Sequence, residues 1–287
     1  MAFQLRKKER VADGIRRITN EQTAAVLDLL SDRAGDFEER IHNARRCIKR
    51  LRATLRLVRP DKNGAQYKAS DRALRNAAKK LATSRDADVA LATFERLAPE
   101  MSLALAARIR TRLNAAVSRA RRRTISRHQL TGVLADFRTS GRTIARMHLK
   151  GKGWQILEPG IRKSYASVRH TARKLRDDTE VTVIHEWRTV AKRLLHQLEL
   201  IRRVLGKSHR KLLPRLTKLC RLLGEFHDVD ALAANPAISK TPAIRKLIAD
   251  RMQTQRKVIR HMAPEIFSEH TRSFVSTLRA GWKKWRA

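Results

Sequence analysis

Apolar residues recur at three- and four-residue intervals along almost the whole chain, the spacing that places them on one face of an α-helix. The pattern is interrupted at Gly35, at Pro60 with Asp61-Lys62-Asn63-Gly64, at Pro99, Gly132, Gly151-Lys152-Gly153, Gly206 and Asn235-Pro236. These interruptions delimit roughly ten helices. Asp36 followed by Glu39 reads as a capping-box-like start, so the second helix is expected to begin near Phe37 and to end before Pro60. At 1.5 Å per residue it is about 34 Å long. Helices of this length with short polar connections bury their apolar stripes as antiparallel bundles.

Within that second helix two stripes can be placed by angle. Ile41, Ala44, Ile48, Leu51, Leu55 and Val58 lie within about 80° of one another and form the expected buried face. His42, Arg45, Lys49, Arg52 and Arg56 form a second stripe, rotated from the first by roughly 90°. A charged helical face is usually a solvated one. Solvated faces, however, alternate in sign to gain i,i+4 pairs, and this stripe contains no acid. An unbalanced cationic stripe beside a buried face points to a groove that meets an extended polyanion.

Composition sharpens that picture. The 287 residues carry 65 Lys and Arg against 27 Asp and Glu, a formal net charge of +38. Arg outnumbers Lys 45 to 20, which favours planar, multidentate contacts to oxyanions over mere solubility. The mean hydropathy of −0.51 approaches the range of disordered chains, but 42% of residues are apolar, enough for a core. Eleven Gly and seven Pro suit long helices better than an all-β fold. There is no long uncharged apolar run and the first eleven residues are charged, so a cytoplasmic protein without a membrane span is expected. Cys47 and Cys220 sit in helix-like segments without a CxxC or nearby histidine set and are expected to be reduced core thiols. No phosphate-binding Gly-Lys loop, G-x-S-x-G elbow, H-E-x-x-H or G-x-G-x-x-G occurs, so no catalytic residue is assigned.

The chain also repeats itself. His42, Arg45, Lys49, Arg50 and Leu51 recur as His185, Arg188, Lys192, Arg193 and Leu194 at a constant offset of 143, and Leu55-Arg56-Leu57 matches Leu198-Glu199-Leu200. Upstream, Gly14-Ile15-Arg16-Arg17 pairs with Gly160-Ile161-Arg162-Lys163 at an offset of 146. Downstream, Arg85-Asp86-Ala87-Asp88 pairs with His227-Asp228-Val229-Asp230 at 142. Three matches in one order imply an internal duplication, with halves of about 1–148 and 149–287. An all-α fold of two four-helix-type bundles about a pseudo-twofold axis is expected, with the two His/Arg/Lys stripes facing across a shared basic cavity.

The paired H-x-x-R-x-x-x-K-R-L helices, each followed by an R/H-D-x-D segment, resemble the CHAD family, the conserved histidine α-helical domain, over essentially the whole chain. The resemblance implies two pseudo-symmetric helical bundles enclosing a basic cavity that binds inorganic polyphosphate, and association with polyphosphate granules and their proteins or polyphosphate-metabolising enzymes. It implies a binding module rather than a catalyst; separately, no i,i+4 His or carboxylate ligand set accompanies His42 or His185 on its helix, so no metal site is assigned. By motif position the histidines are His42 and His185, and the phosphate-facing cations Arg45, Lys49, Arg50 and Arg52 in one half and Arg188, Lys192 and Arg193 in the other. The second stripe departs from the first: it reads His185, Arg188, Lys192, His196, Glu199 and so loses the cations that Arg52 and Arg56 give the first. The cavity is therefore expected to be asymmetric, with a weaker grip at that end.

Further cations are candidates with two readings each. Arg72, Arg75 and Lys79 share a helical face, with Asp86 on roughly the same side; Lys211, Arg215, Lys218 and Arg221 are their looser counterparts. Arg162, Tyr165, Arg169, Arg173 and Arg176 share a face of the helix opening the second half, as cavity rim or plain surface. Asp86, Asp88, Asp228 and Asp230 either cap helix starts or hold Mg²⁺ carried by polyphosphate. The Arg119-Ala120-Arg121-Arg122-Arg123 run, with Arg127, reads as a surface patch that attracts polyanions. With 5% aromatic residues the chain offers few stacking platforms, so nucleic acid is expected to bind by charge alone.

Overall fold

The computed structural model describes residues 3–31, 36–58, 64–81, 83–122, 127–176, 178–238 and 241–287; the side chains at 83–85, 121, 122, 127–129 and 208 lie outside the description. The fold is all-α. Among the described residues the helices are α1 (Val11–Ser31), α2 (Phe37–Val58), α3 (Ala65–Lys80), α4 (Thr83–Leu97), α5 (Leu103–Arg122), α6 (Arg127–Arg146), α7 (Trp154–Ala172), α8 (Val181–Leu200), α9 (Leu212–Ala233), α10 (Pro242–Phe267) and α11 (Thr271–Arg286). Eleven helices are thus found against the roughly ten expected.

The differences have local causes. Gly132 lies inside α6, where nothing stands within 4 Å of the position its Cβ would take; an exposed glycine weakens a helix without ending it. A break outside the Gly and Pro interruptions falls between α3 and α4, before the helix start that the capping reading of Asp86 implied; there the Leu81 N–H closes onto the Ala77 carbonyl. Gly151 and Gly153, at φ of 90° and 54°, make the expected turn before α7. The expected breaks at Gly35 and Pro60 lie outside the described residues, as do Arg123 and the side chains of Arg121, Arg122 and Arg127.

Helix α2 is the centre of the molecule. It starts where Asp36 Oδ1 accepts the Glu38 N–H at 3.0 Å, and all six residues of its expected apolar face are buried. Cys47, Ala53, Thr54 and Leu57 are buried too, because α2 packs against α1 and α3 on one side and α7 and α8 on the other. The crossing with α7 is close: a Cβ on Gly160 would come 1.9 Å from the Leu57 carbonyl oxygen, so only glycine fits.

Packing runs in similar order through the two halves. Helix α1 lies against α2 and α6 as α7 lies against α8 and α11, and α4 against α5 as α9 against α10. Across the halves α2 meets α8 and α4 meets α9. One core cluster, including Ile41, Ile48, Leu51 and Phe137, belongs to the first half; a second, including Trp187, Leu194, Leu198 and Phe274, belongs chiefly to the second. A third, including Phe94, Ile109, Leu113, Leu232 and Ile244, joins them at the far end. Each fully buried aliphatic side chain contributes about 2 kcal/mol of transfer free energy, so apolar burial holds this junction, with the Arg251–Glu100 ion pair at 2.7 Å beside it. Cys47 and Cys220 are buried free thiols, with Cys220 pushed up to about 12 by burial. Among the described residues no helix is long and apolar enough to cross a membrane.

Candidate functional site

The contact between α2 and α8 brings together cations from the matched positions of the two repeats. Lys49 of α2 feels the charges of Lys192 and Arg188 of α8 as well as that of Arg45 on its own helix. Enclosure by protein, followed by these three cations, brings its ammonium down from an ordinary 10.5 to about 7, with Asp228 of α9 acting in opposition. Lys49 is nevertheless reached by solvent. A side chain that water touches yet protein surrounds is one that lines a concave surface. Arg45 is likewise lowered by burial and held by the opposing charge of Asp86, while its Nη1 donates to the Ala78 carbonyl at 3.0 Å.

Asp86 and Asp228 occupy matched repeat positions, and each faces a cation of α2. Asp86 lies in the first turn of α4, where the capping reading placed it. Asp228 and Asp230 do not: α9 is unbroken from Leu212 to Ala233, so both stand far past its start. Gly224, one turn earlier on α9, leaves space beside the stripe, since a Cβ there would meet only the Lys192 ammonium, at 4.0 Å.

His185 opens the α8 stripe inside a short relay. Its Nε2 lies 2.8 Å from Asp230 Oδ2, and its Nδ1 lies 3.0 Å from Nδ1 of His227, the two rings being nearly perpendicular. A carboxylate only accepts, so His185 donates from Nε2; in its neutral form its Nδ1 must then accept from His227 Nδ1–H. His227 Nε2 is left as an acceptor. Burial, then Arg188, His185 and Lys192, bring His227 down to about 4 against the opposing Asp230. His227 was not among the site residues read from the sequence. Its signal was present, because it stands three residues before Asp230 on the same helical face, but its repeat mate is Arg85, which concealed it. His42 is exposed on α2. The repeat mates of His185's partners His227 and Asp230 are Arg85, whose side chain lies outside the description, and Asp88.

Several expected phosphate-facing cations are committed to protein groups. Asp71, a buried residue of α3, accepts from Arg52 (Nε, 3.1 Å), Arg56 (Nη2, 3.0 Å) and Arg75 (Nη2, 3.1 Å), and these guanidinium groups hold its carboxyl well below the ordinary range despite burial. This end of the α2 stripe is therefore a cluster of three guanidinium groups that share one carboxylate. Arg50 points out of the stripe, 3.6 Å from Glu199 of α8 and over the Phe3 ring. Arg169 donates to the carbonyls of Phe267 and Ser268, closing the end of α10, and Tyr165 is a core residue stacked on Phe274 with its hydroxyl donating to the Glu269 carbonyl. Arg173 lies at the end of α7, and Arg176 donates to the Arg173 carbonyl.

The rest stay at the surface. Arg162 pairs with Glu158 at 2.7 Å and Arg221 with Glu225 at 2.5 Å. Arg72, Lys79, Lys211, Arg215, Lys218 and Arg119 are exposed. The face shared by Arg72, Arg75 and Lys79 does not extend to Asp86, because the break at Leu81 re-aims α4. Arg193 lines a small cavity with Arg56. Among the described residues no group of three or more His, Cys, Asp or Glu side chains could hold a metal ion.

The CHAD domain family model matches residues 17–235, more than half of the chain, and the protein belongs to that family. The fold is that of the crystal structure of the CHAD domain from the plant Ricinus communis, which it resembles at a TM-score of 0.61 and 19% identity over 99% of this chain and 95% of that one. PptA from Streptomyces chartreusis is similar at a TM-score of 0.59 and 17% identity, over 96% of this chain and 99% of that one. No curated protein matches the sequence.

Proposed function

We propose that the protein binds inorganic polyphosphate, without turning it over, in the groove between α2 and α8. The observation that carries the reading is the gathering of Arg45, Lys49, Arg188 and Lys192, from matched positions of the two repeats, around an ammonium that is already half deprotonated near neutral pH. Four cations held this close repel one another, and the fold bears that cost at a site water can enter. A linear polyanion with closely spaced charges removes the repulsion and accepts charge-assisted hydrogen bonds from both helices at once. Asp86 and Asp228 then serve to orient the cations, and any Mg²⁺ would arrive with the polymer. The resemblance to CHAD proteins points the same way, and placement at cytoplasmic polyphosphate granules follows from it as part of this proposal.

Nucleic acid is the competing ligand, favoured by the net charge of +38. Among the described residues Trp187 is fully buried and Trp282 is mostly buried, so neither offers it a stacking platform. Long-chain polyphosphate and DNA titrated against each other at near-physiological salt decide the matter. Polyphosphate should displace DNA at equal charge concentration; the reverse would overturn the proposal.

A further inference from the structure

Away from the α2–α8 groove, a cavity of about 770 Å³ lies where three separated stretches of chain meet: the residues leading into α1, the segment that crosses from the first half to the second, and the end of α11. Val11, Met147, Leu149, Ile156 and Trp282 give it apolar walls. Its rim is basic, with exposed Lys8, Arg146 and Lys152. Arg10 and Arg16 also border it, but both pair with Asp13, and Glu9, the acid at the cavity, is held by Arg17 at 2.6 Å. A volume of this size falls in the range of small-molecule sites, which are mostly apolar with a few polar groups that fix orientation.

Arg286 distinguishes this cavity from a plain hollow in the surface. Its guanidinium lies over the Trp282 ring at 4.5 Å and over the Trp285 ring at 5.0 Å, and its Nη1 donates to the Lys7 carbonyl. Its Nε is buried with no hydrogen-bond partner among the described residues. Burial lowers its pKa below the ordinary arginine value, with Glu9 in opposition. A cation that is stripped of water and only part-satisfied costs free energy, which an anion brought beside it would recover.

A phosphate chain does not suit these walls, since several charges laid against Val11, Leu149 and Ile156 would lose water without gaining partners. An apolar body carrying a single anionic group matches both the walls and the rim. We propose that this cavity binds a small organic acid, a monocarboxylate whose hydrocarbon portion lies against Ile156 and Trp282 and whose carboxylate meets the rim at Arg286 and Lys152. The site stands apart from the α2–α8 groove and does not rest on the polyphosphate reading. Because its walls come from both halves, an occupant would also tie the halves together at this end.

Octanoate, octanol and acetate separate the two requirements, carrying respectively chain and charge, chain alone and charge alone. Each is titrated calorimetrically into the full chain at near-physiological salt, with tryptophan fluorescence recorded in parallel. Octanoate should saturate a single site and alter the emission, and octanol and acetate should each bind at least about tenfold more weakly. Arg286→Gln should weaken octanoate by about tenfold and Lys152→Ala, at an exposed position, by about threefold. Ala12→Phe, which fills the cavity from α1, should abolish binding, and Lys284→Ala, an exposed cation of α11 off the cavity, should change nothing. If a buried-side variant fails to fold, Lys152→Ala and the three-probe comparison still decide. No saturable octanoate binding, octanol or acetate binding as tightly as octanoate, or the same affinity in Lys152→Ala as in Lys284→Ala would overturn the proposal. Lys49→Ala should leave octanoate binding unchanged, so failure of the groove and failure of this site are read separately.

Discussion

Lys49 of α2 and Lys192 of α8, two lysines at the same repeat position, lie close enough for the second to depress the ionisation of the first, which falls to about 7. That relationship couples protons to ligand binding. A polyanion favours the charged amine, so binding takes up protons near neutral pH, and affinity should fall as pH rises above 7. Comparing wild type with Lys49→Met at each pH cancels the titration of polyphosphate itself. The wild-type advantage should be large near pH 6 and shrink by pH 8.5; a constant ratio would contradict the coupling.

The same group acts on stability with the opposite slope. Between about 7 and 10.5 the unfolded chain holds the Lys49 proton and the folded chain does not. This group therefore makes the ligand-free protein more stable as pH rises through that window, and Lys49→Met should flatten the rise in melting temperature. His227, brought from 6.5 to about 4, contributes stability that is lost as pH falls through that interval.

Asp71 holds Arg52, Arg56 and Arg75 together, so Asp71→Asn leaves three guanidinium groups without their shared anion. Denaturant unfolding should show a loss of about 1–3 kcal/mol at neutral pH. The carboxyl lies below its ordinary 3.8 when folded, so its contribution is complete above that value and is lost on acidification. The wild type and the variant should therefore converge in stability in strong acid.

Two glycines separate packing from binding. A side chain on Gly160 would press on the Leu57 backbone, which cannot rotate away, and Gly160→Val should cost about 3 kcal/mol or more. At Gly224 an added Cβ would meet only the Lys192 ammonium, at 4.0 Å, so Gly224→Ala should leave the melting temperature nearly unchanged while weakening polyphosphate binding. Loss of stability without loss of affinity in the second variant would remove Gly224 from the groove.

The parts of the structure that were legible in the sequence are those set by local spacing. The start of α2 at Asp36, its buried face from Ile41 to Val58, and the matched stripes of α2 and α8 follow from periodicity and repetition. Pairing across elements did not. Nothing near Arg52 and Arg56 announces that Asp71, on another helix, will claim them, nor that Arg169 will close the end of α10 about a hundred residues away. The helix break at Leu81 carries no Gly or Pro, and His227 was hidden because its repeat mate is an arginine. A cationic stripe names candidate ligands; the acids that reach it decide which of them remain for an anion.

The most direct test of the groove compares two double variants in equilibrium titrations with long-chain polyphosphate at near-physiological salt. Lys49→Ala with Lys192→Ala removes the facing pair, and Lys211→Ala with Lys218→Ala removes two exposed lysines, one just before α9 and one on it. The first should weaken binding by at least about a hundredfold, from two lost charge-assisted contacts, and the second by less than about threefold. Equal losses in the two would show that polyphosphate is held by net charge alone and would contradict a binding groove between α2 and α8.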